Sequence, residues 1–412
     1  MSKLAIDGGQ PIRTKPFPSR LQIDKREILA VTELMLDAQS GGAFDRYGGA
    51  HVDAYEAEFA QFVGVSYGTA VSAGTAAVHT ALGALQLEPF CEVISSPITD
   101  PGAVAPILWN NCIPIFADAN PETMNMSPES LREKITDKTR AVICGHIAGA
   151  PCDMGPIMEI AQEHGIWVIE DCAQAHGGTY DGKVLGSIGH IAAFSLMSGK
   201  HSTAGGQGGM VVCKDEDLYW NAKRFADRGK PFNSETPGNM FLGNNYRMTE
   251  LEACIGRVQL QKLPQITGNR QAAAAWLADE IADLKGVHMG HVHERGESAY
   301  WFVNLRFDAD KYAVDKAQFA EAVAAEGVPM GASYEAIVPE QHWILNKHAY
   351  GESGFPWNAP QYGREVEYRN CVPGARQAVD NHMRTTVHEC FGQEDSRDIG
   401  RALRKVEQAY LL

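Results

Sequence analysis

The run Ile166-Trp167-Val168-Ile169-Glu170-Asp171-Cys172-Ala173-Gln174-Ala175-His176-Gly177 decides the fold. Four apolar residues rich in β-branched side chains read as a buried strand. Two carboxylates stand at its end, where the chain breaks into small residues and glycine. Upstream, Met154–His164 has a helical pattern, and Arg140–His146 before it reads as another strand. The same alternation extends both ways. Gly68–Ser72, Glu92–Ser96, Ile113–Ala117, Ala192–Leu196 and Met210–Cys213 read as strands, and Thr75–Leu85 as a helix. Strands alternating with helices imply parallel pairing with helices on both faces. Their crossovers are right-handed, so a doubly wound, mostly parallel α/β sheet is expected.

After Asp215 the pattern changes. Asp215–Asp227 reads as a helix, and a Gly/Asn/Pro-rich stretch follows to Asn245. Thr249–Leu263 is a second helix with Thr249 as N-cap, ending near Pro264. Asn269–Leu284 is a third. Tyr300–Phe307 then reads as a strand, Asp315–Glu326 as a helix, and Gly351–Pro360 as an exposed loop. The division expected is a large α/β domain over 1–268 and a smaller C-terminal α+β domain over 269–412.

Composition bounds the function. The chain has 412 residues, with 36 Lys and Arg against 51 Asp and Glu, a net charge of −15. A phosphate-tracking nucleic-acid protein needs clustered cations, so that class is excluded. No run reaches the ~18 apolar residues of a membrane span. The opening stretch has only Leu4-Ala5-Ile6 as an apolar core, so a secretory signal is not expected and the cytoplasm is the expected location. The 9 cysteines are scattered without a CxxC pair, which favours reduced, buried thiols over disulfides or zinc.

In open α/β sheets, ligands sit at the carboxyl ends of the strands. After the first strand, Ser72-Ala73-Gly74-Thr75 opens a helix whose first N–H groups can cradle an anion. Asp171 leaves a buried strand and needs a partner. After Ala192–Leu196 come Met197-Ser198-Gly199-Lys200 and the glycine-rich Thr203–Gly209. Each feature alone reads as a cap, a turn or a surface lysine. Together, an anion cradle, a carboxylate and a lysine on one sheet edge meet the needs of pyridoxal phosphate: donors for its phosphate, an amine for its aldehyde and a carboxylate for its ring nitrogen.

The motifs SAGTAAVHTAL, VIEDCAQAHG, FSLMSGK and NNYRMTELEA resemble, in that order, the DegT/StrS family of pyridoxal-phosphate aminotransferases acting on keto sugars and cyclitols. Scyllo-inosose aminotransferases and 3-amino-5-hydroxybenzoate synthases are among its types. The resemblance implies an aspartate-aminotransferase-like fold type I, built as a homodimer with shared sites. It implies that Lys200 forms the imine with the cofactor and moves the proton, and that Asp171 partners the ring nitrogen. Gln174 would contact the ring's phenolic oxygen. Gly74, Thr75 and Ser195 would hold the phosphate, with Asn245 reaching the site of the other subunit. Asp100 stands where the family places an aromatic residue over the ring, so it is carried as a cofactor-contacting position. A second departure is Gln207 where the family has glutamate, in a loop one residue longer.

The activity implied is transfer of an amino group from glutamate or glutamine to a ketone of a sugar, nucleotide-sugar or cyclitol, by ping-pong chemistry, in secondary-metabolite or polysaccharide biosynthesis. The alternatives are a sugar dehydratase of the same family, in which histidine replaces the lysine, and a non-catalytic cofactor-binding regulator. Lys200 is present, with histidine only at 201. A nucleotide-linked acceptor would call for a basic patch including Arg224, Arg228 or Arg247. Gly177–Lys183 matches the spacing of a phosphate loop, but Val184 follows where a hydroxyl should hold magnesium. His288, His291 and His293 lack the pattern of a metal site.

Overall fold

The structure is a computed structural model and describes residues 3–20, 23–42 and 48–412. Helices α1 (Lys25–Gln39), α2 (Ala50–Val63), α3 (Gly74–Ala84) and α4 (Met154–His164) accompany a seven-stranded sheet. Its strands are β1 (Tyr67–Val71), β2 (Glu92–Ser95), β3 (Ile113–Phe116), β4 (Thr139–Gly145), β5 (Trp167–Asp171), β6 (Ile191–Ser195) and β7 (Gly209–Cys213). They lie in the order β1-β7-β6-β5-β4-β2-β3. Six point the same way. β7 alone runs antiparallel, to both β1 and β6, so the sheet is mostly parallel, as expected. The reason for the reversal is local: residues 196–208 contain no helix, and a parallel return would need a longer crossover.

Successive strand residues face opposite layers. Val71, Ile143, Ile169, Ala193 and Val211 pack with Ala77 and Ala81 of α3 on one face. Ala70, Val142, Val168, Phe194 and Val212 pack with Tyr55 and Phe59 of α2 and Ile157 of α4 on the other. Both faces are therefore covered, as the apolar strands require.

The longer helices that follow are α5 (Glu216–Ala226), α6 (Glu250–Ile281), α7 (Lys316–Ala325) and, at the end, α8 (Gln393–Tyr410). α6 merges the two helices expected at 249–263 and 269–284. Pro264 lies inside it rather than ending it. Thr249 and Glu252 form a capping box at its start. Position 268/269 lies within this helix, so any division there is one of packing. The second half of α6 packs with α7, α8 and a four-stranded sheet formed by β8 (Val287–Met289), β9 (Val303–Phe307), β10 (Met330–Gly331) and β11 (His382–Thr385), in the order β8-β9-β11-β10. Leu4 from the N-terminal stretch joins that core, whereas Ile337, Trp357, Tyr362 and Val379 join the core of the large sheet.

One further reading changes, and the rejected phosphate-loop match is explained. The 351–360 segment is not simply exposed, because Trp357 is buried and donates from Nε1 to the Tyr368 hydroxyl at 2.7 Å. The phosphate-loop match is a β-hairpin: Thr179–Tyr180 pairs with Lys183–Val184, and Asp181 and Gly182 both have positive φ, as a two-residue type I′ turn demands. No helix among the described residues is long and apolar enough to cross a membrane.

Candidate active site

The carboxyl ends of β1, β5 and β6 share one edge of the sheet, and the candidate residues stand on it. β1 runs through Ser72 and Ala73 into α3, whose N-cap Ala73 offers no side-chain cap. The first N–H groups of α3 thus face outward without a helical partner. A Cβ on Gly74 would lie 2.5 Å from the Cβ and 2.7 Å from the Oγ of Ser195. Only glycine allows the start of α3 and the end of β6 to approach this closely. Thr75 closes the other side, since a Cβ on Gly102 would fall on its Oγ1. Gly74, Thr75, Gly102 and Ser195 form a small concavity with two hydroxyls and a helix start, which fits a phosphate.

Asp171 ends β5 on the same face as Ile169, and Ser195 ends β6 on the same face as Ala193. The Asp171 carboxylate accepts from Ala173 N at 3.0 Å and is 8% exposed. Burial pushes its pKa up, while Lys200 draws it back. A buried carboxylate of this kind suits a protonated ring nitrogen, which would replace the hydration it has lost.

Lys200 sits in a tight turn after β6, with its N–H donating to Met197 O at 3.0 Å. Its carbonyl accepts from Arg20 Nη2 at 3.0 Å. The Nζ lies 4.0 Å from the centroid of the Trp301 ring. Burial lowers the pKa of the amine, against the opposing pull of Asp171 and Asp100. Desolvation thus supplies the neutral, nucleophilic form that bonding to a carbonyl needs. Lys200, Asp171 and the concavity together fit pyridoxal phosphate.

Gln174 is clamped: its Oε1 accepts from Ala148 N at 2.8 Å and its Nε2 donates to the Tyr334 hydroxyl at 3.2 Å. Asp100 is exposed and caps the turn Pro101–Ala103 by accepting from Gly102 N at 2.8 Å. Its charge acts on both Asp171 and Lys200. Gln207 is exposed in the loop between β6 and β7.

Asn245 does not join this group within one chain. Its segment pairs with the edge of β1 and with Asp227, and its Oδ1 accepts from Arg247 Nε at 3.0 Å. The basic patch sought at Arg224, Arg228 and Arg247 is committed elsewhere. Arg224 donates to Phe232 O at 2.8 Å, while Arg228, Lys230 and Arg247 surround the carboxylate of Asp227.

Glu170 points to the opposite face. With His146 and Cys172 it forms the one group of metal-ligand types among the described residues. Its carboxylate accepts from the N–H groups of Gly186, Ile188 and Gly189 and from His146 Nε2, so the cluster anchors the end of β5. His288 and His293 lie instead beside Asp308 and Asp153.

Trp301, Tyr334, Arg20 and Arg384 were not legible as site residues. They come from loops or short strands far from the motifs. The one signal was an aromatic pair, Tyr300-Trp301, at the head of a strand. Tyr300 in fact has positive φ and lies outside β9.

A fold-type I sheet with an anion cradle, a buried carboxylate and a desolvated lysine at one edge is the arrangement that a pyridoxal-phosphate enzyme requires. Residues 22–384 match the DegT/DnrJ/EryC1/StrS aminotransferase family, and the chain belongs to it. It is 37% identical over 263 residues to the GDP-perosamine synthase of Escherichia coli O157:H7, covering 62% of this chain and 70% of that protein. It is 33% identical over 360 residues to the spore coat polysaccharide biosynthesis protein SpsC of Bacillus subtilis (strain 168), covering 82% of this chain and 88% of that one. The solved aminotransferase from Psychrobacter cryohalolentis superposes with a TM-score of 0.82 at 30% identity, covering 96% of this chain and 99% of the other.

Proposed function

We propose that the chain uses pyridoxal phosphate to transfer an amino group from L-glutamate or L-glutamine to a ketone of a sugar, nucleotide-linked sugar or cyclitol. The observation that carries this reading is that Lys200 and Asp171 are both buried and feel each other's charge, beside the Gly74–Ser195 concavity. Relatives named for GDP-perosamine and for spore coat polysaccharide support an acceptor of sugar type.

When bound, the cofactor supplies an electron sink for the carbanion formed next to the transferred nitrogen. The residues of this chain do the rest. Gly74 N–H, Thr75 Oγ1 and Ser195 Oγ hold the phosphate. Asp171 keeps the ring nitrogen protonated, and Gln174 orients the ring through its phenolic oxygen. Lys200 Nζ takes the proton from the donor's α-carbon, a role helped by burial, which shifts the amine toward its neutral, basic form. The keto acid leaves before the acceptor enters, so kinetics are ping-pong. Asn245 reaches the phosphate of a second copy, which makes the active unit a homodimer.

The test is an absorbance spectrum of the purified protein, before and after L-glutamate or L-glutamine. A visible band that moves into the near ultraviolet with either amino acid is the expected result. A band that ignores both, or no band after adding pyridoxal phosphate, would overturn the reading.

A further inference from the structure

Two cysteine sulfurs touch at the foot of the large sheet. Cys91 immediately precedes β2, and Cys112 immediately precedes β3, the edge strand. β2 and β3 pair in parallel with Glu92 opposite Ile113, so the register carried one step back sets the two cysteines opposite each other. The ladder continues past the strand heads: Ile113 N donates to Cys91 O and Phe90 N to Asn111 O, both at 2.8 Å. Both side chains pack in the same core, on one face of the sheet. Their Sγ atoms lie 3.5 Å apart. Among the described residues no other two cysteine sulfurs share a hydrogen bond.

The backbone holds the pair in place. Phe90 and Asn111, the residues before the two cysteines, have positive φ, at 67° and 56°. That conformation is an outlier for a residue as bulky as phenylalanine, and it persists only where the surroundings impose it. Here the Phe90 ring meets Phe355 edge-on at 5.9 Å. Neighbouring strands lie ~4.8 Å apart, and a disulfide tolerates Cα separations of roughly 4.4–6.8 Å. Closing the gap between the sulfurs therefore needs side-chain rotation and no movement of the strands.

The two thiols are not equivalent. Cys91 retains 7% exposure, whereas Cys112 has none. The shared hydrogen bond, helped by the charge of Arg140, draws the Cys91 thiol below its usual range against the effect of burial. The same bond, with burial, pushes Cys112 up. Cys91 is thus the sulfur that an oxidant meets first and the one that reacts as thiolate, with Cys112 behind it as the resolving thiol.

We propose that Cys91 and Cys112 form a redox modification site, a dithiol that a small peroxide converts to an intrachain disulfide stapling β3 to β2. The Cys91 thiolate attacks one peroxide oxygen, the O–O bond breaks, and Cys91 becomes a sulfenic acid as hydroxide leaves. Cys112 Sγ then attacks Cys91 Sγ, the S–O bond breaks, and the Cys112 proton departs with that oxygen as water. The two sulfurs lose two electrons in all, and the peroxide gains them. The pair lies at the amino ends of its strands, away from the carboxyl edge that carries Lys200 and Asp171. No step uses the cofactor, so the inference is independent of the function proposed above.

Peptide mapping of the purified protein after hydrogen peroxide tests this. Free thiols are alkylated in denaturant, and the digest is run without reductant. The expected result is a peptide pair joined through Cys91 and Cys112, two hydrogens lighter than the sum of its parts and separated by dithiothreitol. Cys371 and Cys390 are the more exposed cysteines and serve as references for reaction with peroxide. Cys112→Ser should leave Cys91 as a sulfenic acid that dimedone labels, a label the wild type loses to the disulfide. Cys91→Ser should leave Cys112 a free thiol. Free thiols at both 91 and 112 in the treated wild type would overturn the proposal, whether or not Cys371 and Cys390 have reacted. So would Cys91 linked to any other cysteine, or Cys91 oxidised further with Cys112 still free. The wild-type map decides by itself should either serine variant fail to fold.

Discussion

A methyl group on Gly74 would collide with Ser195, so the concavity proposed to hold the phosphate depends on one missing side chain. Gly74→Ala should raise the dissociation constant for pyridoxal phosphate about ten-fold or more by parting two of its donors, as read by equilibrium titration of apoprotein. Lys200 is set by burial. Its neutral form is favoured, so the rate of cofactor capture by apoprotein should rise with pH through a midpoint below the ordinary lysine value of ~10.4. A midpoint at or above that value would contradict it. Lys200→Ala should abolish turnover. Asp171→Asn should still bind cofactor yet slow transamination about 10²-fold or more in single-turnover measurements, since a fixed charge at the ring nitrogen is lost. A wild-type rate in Asp171→Asn would remove Asp171 from its role. These residues were legible because each sits within a few positions of a strand end, where chain order and chemistry coincide. Trp301, Tyr334 and Arg384 were not, because nothing local links position 384 to position 200. The four-stranded sheet and the loop after it create that proximity.

At the level of elements, the strands of residues 67–213 and the mostly parallel direction of their sheet follow from apolar runs and the strand–helix alternation, but the one reversed strand does not. The reversal of β7 depends on a connection being too short for a helix, which a list of strands does not record. α6 is the opposite case. Pro264 suggests a break, yet the helix continues because both halves are packed, Leu260 and Leu263 in one core and Ala273 and Leu277 in another. Tertiary burial outweighs the ~3 kcal/mol propensity cost of a helical proline. The start of that helix is fixed more cheaply, by the Thr249–Glu252 capping box. Thr249→Ala should lower stability by about 1 kcal/mol, and Thr249→Ser should restore most of it, in denaturant unfolding followed by circular dichroism. An unchanged midpoint in Thr249→Ala would mean that packing alone sets the helix start.

Buried histidines under both covered sheet faces make the whole molecule acid-sensitive, and two of them show how. His79 on α3 is buried, and burial lowers its pKa to about 4. His176, beside Phe194 on the opposite face, is lowered by burial to about 3. Both rings are neutral in the folded chain and ordinary in the unfolded one, near ~6.5. Between those values the unfolded state binds more protons, so stability rises with pH and is lost as pH falls below the unfolded value. From pH 7 to pH 5 each ring should remove on the order of 1–2 kcal/mol. Asp171 has the opposite sign: burial raises its folded pKa, which favours the folded state as acid is added. Unfolding free energies at pH 5, 6, 7 and 8 check this, with slope rather than absolute stability as the readout. His176→Gln should flatten the profile between pH 6.5 and 5, whatever its effect at pH 8. A His176→Gln slope equal to that of the wild type would show that this ring does not stay neutral in the fold.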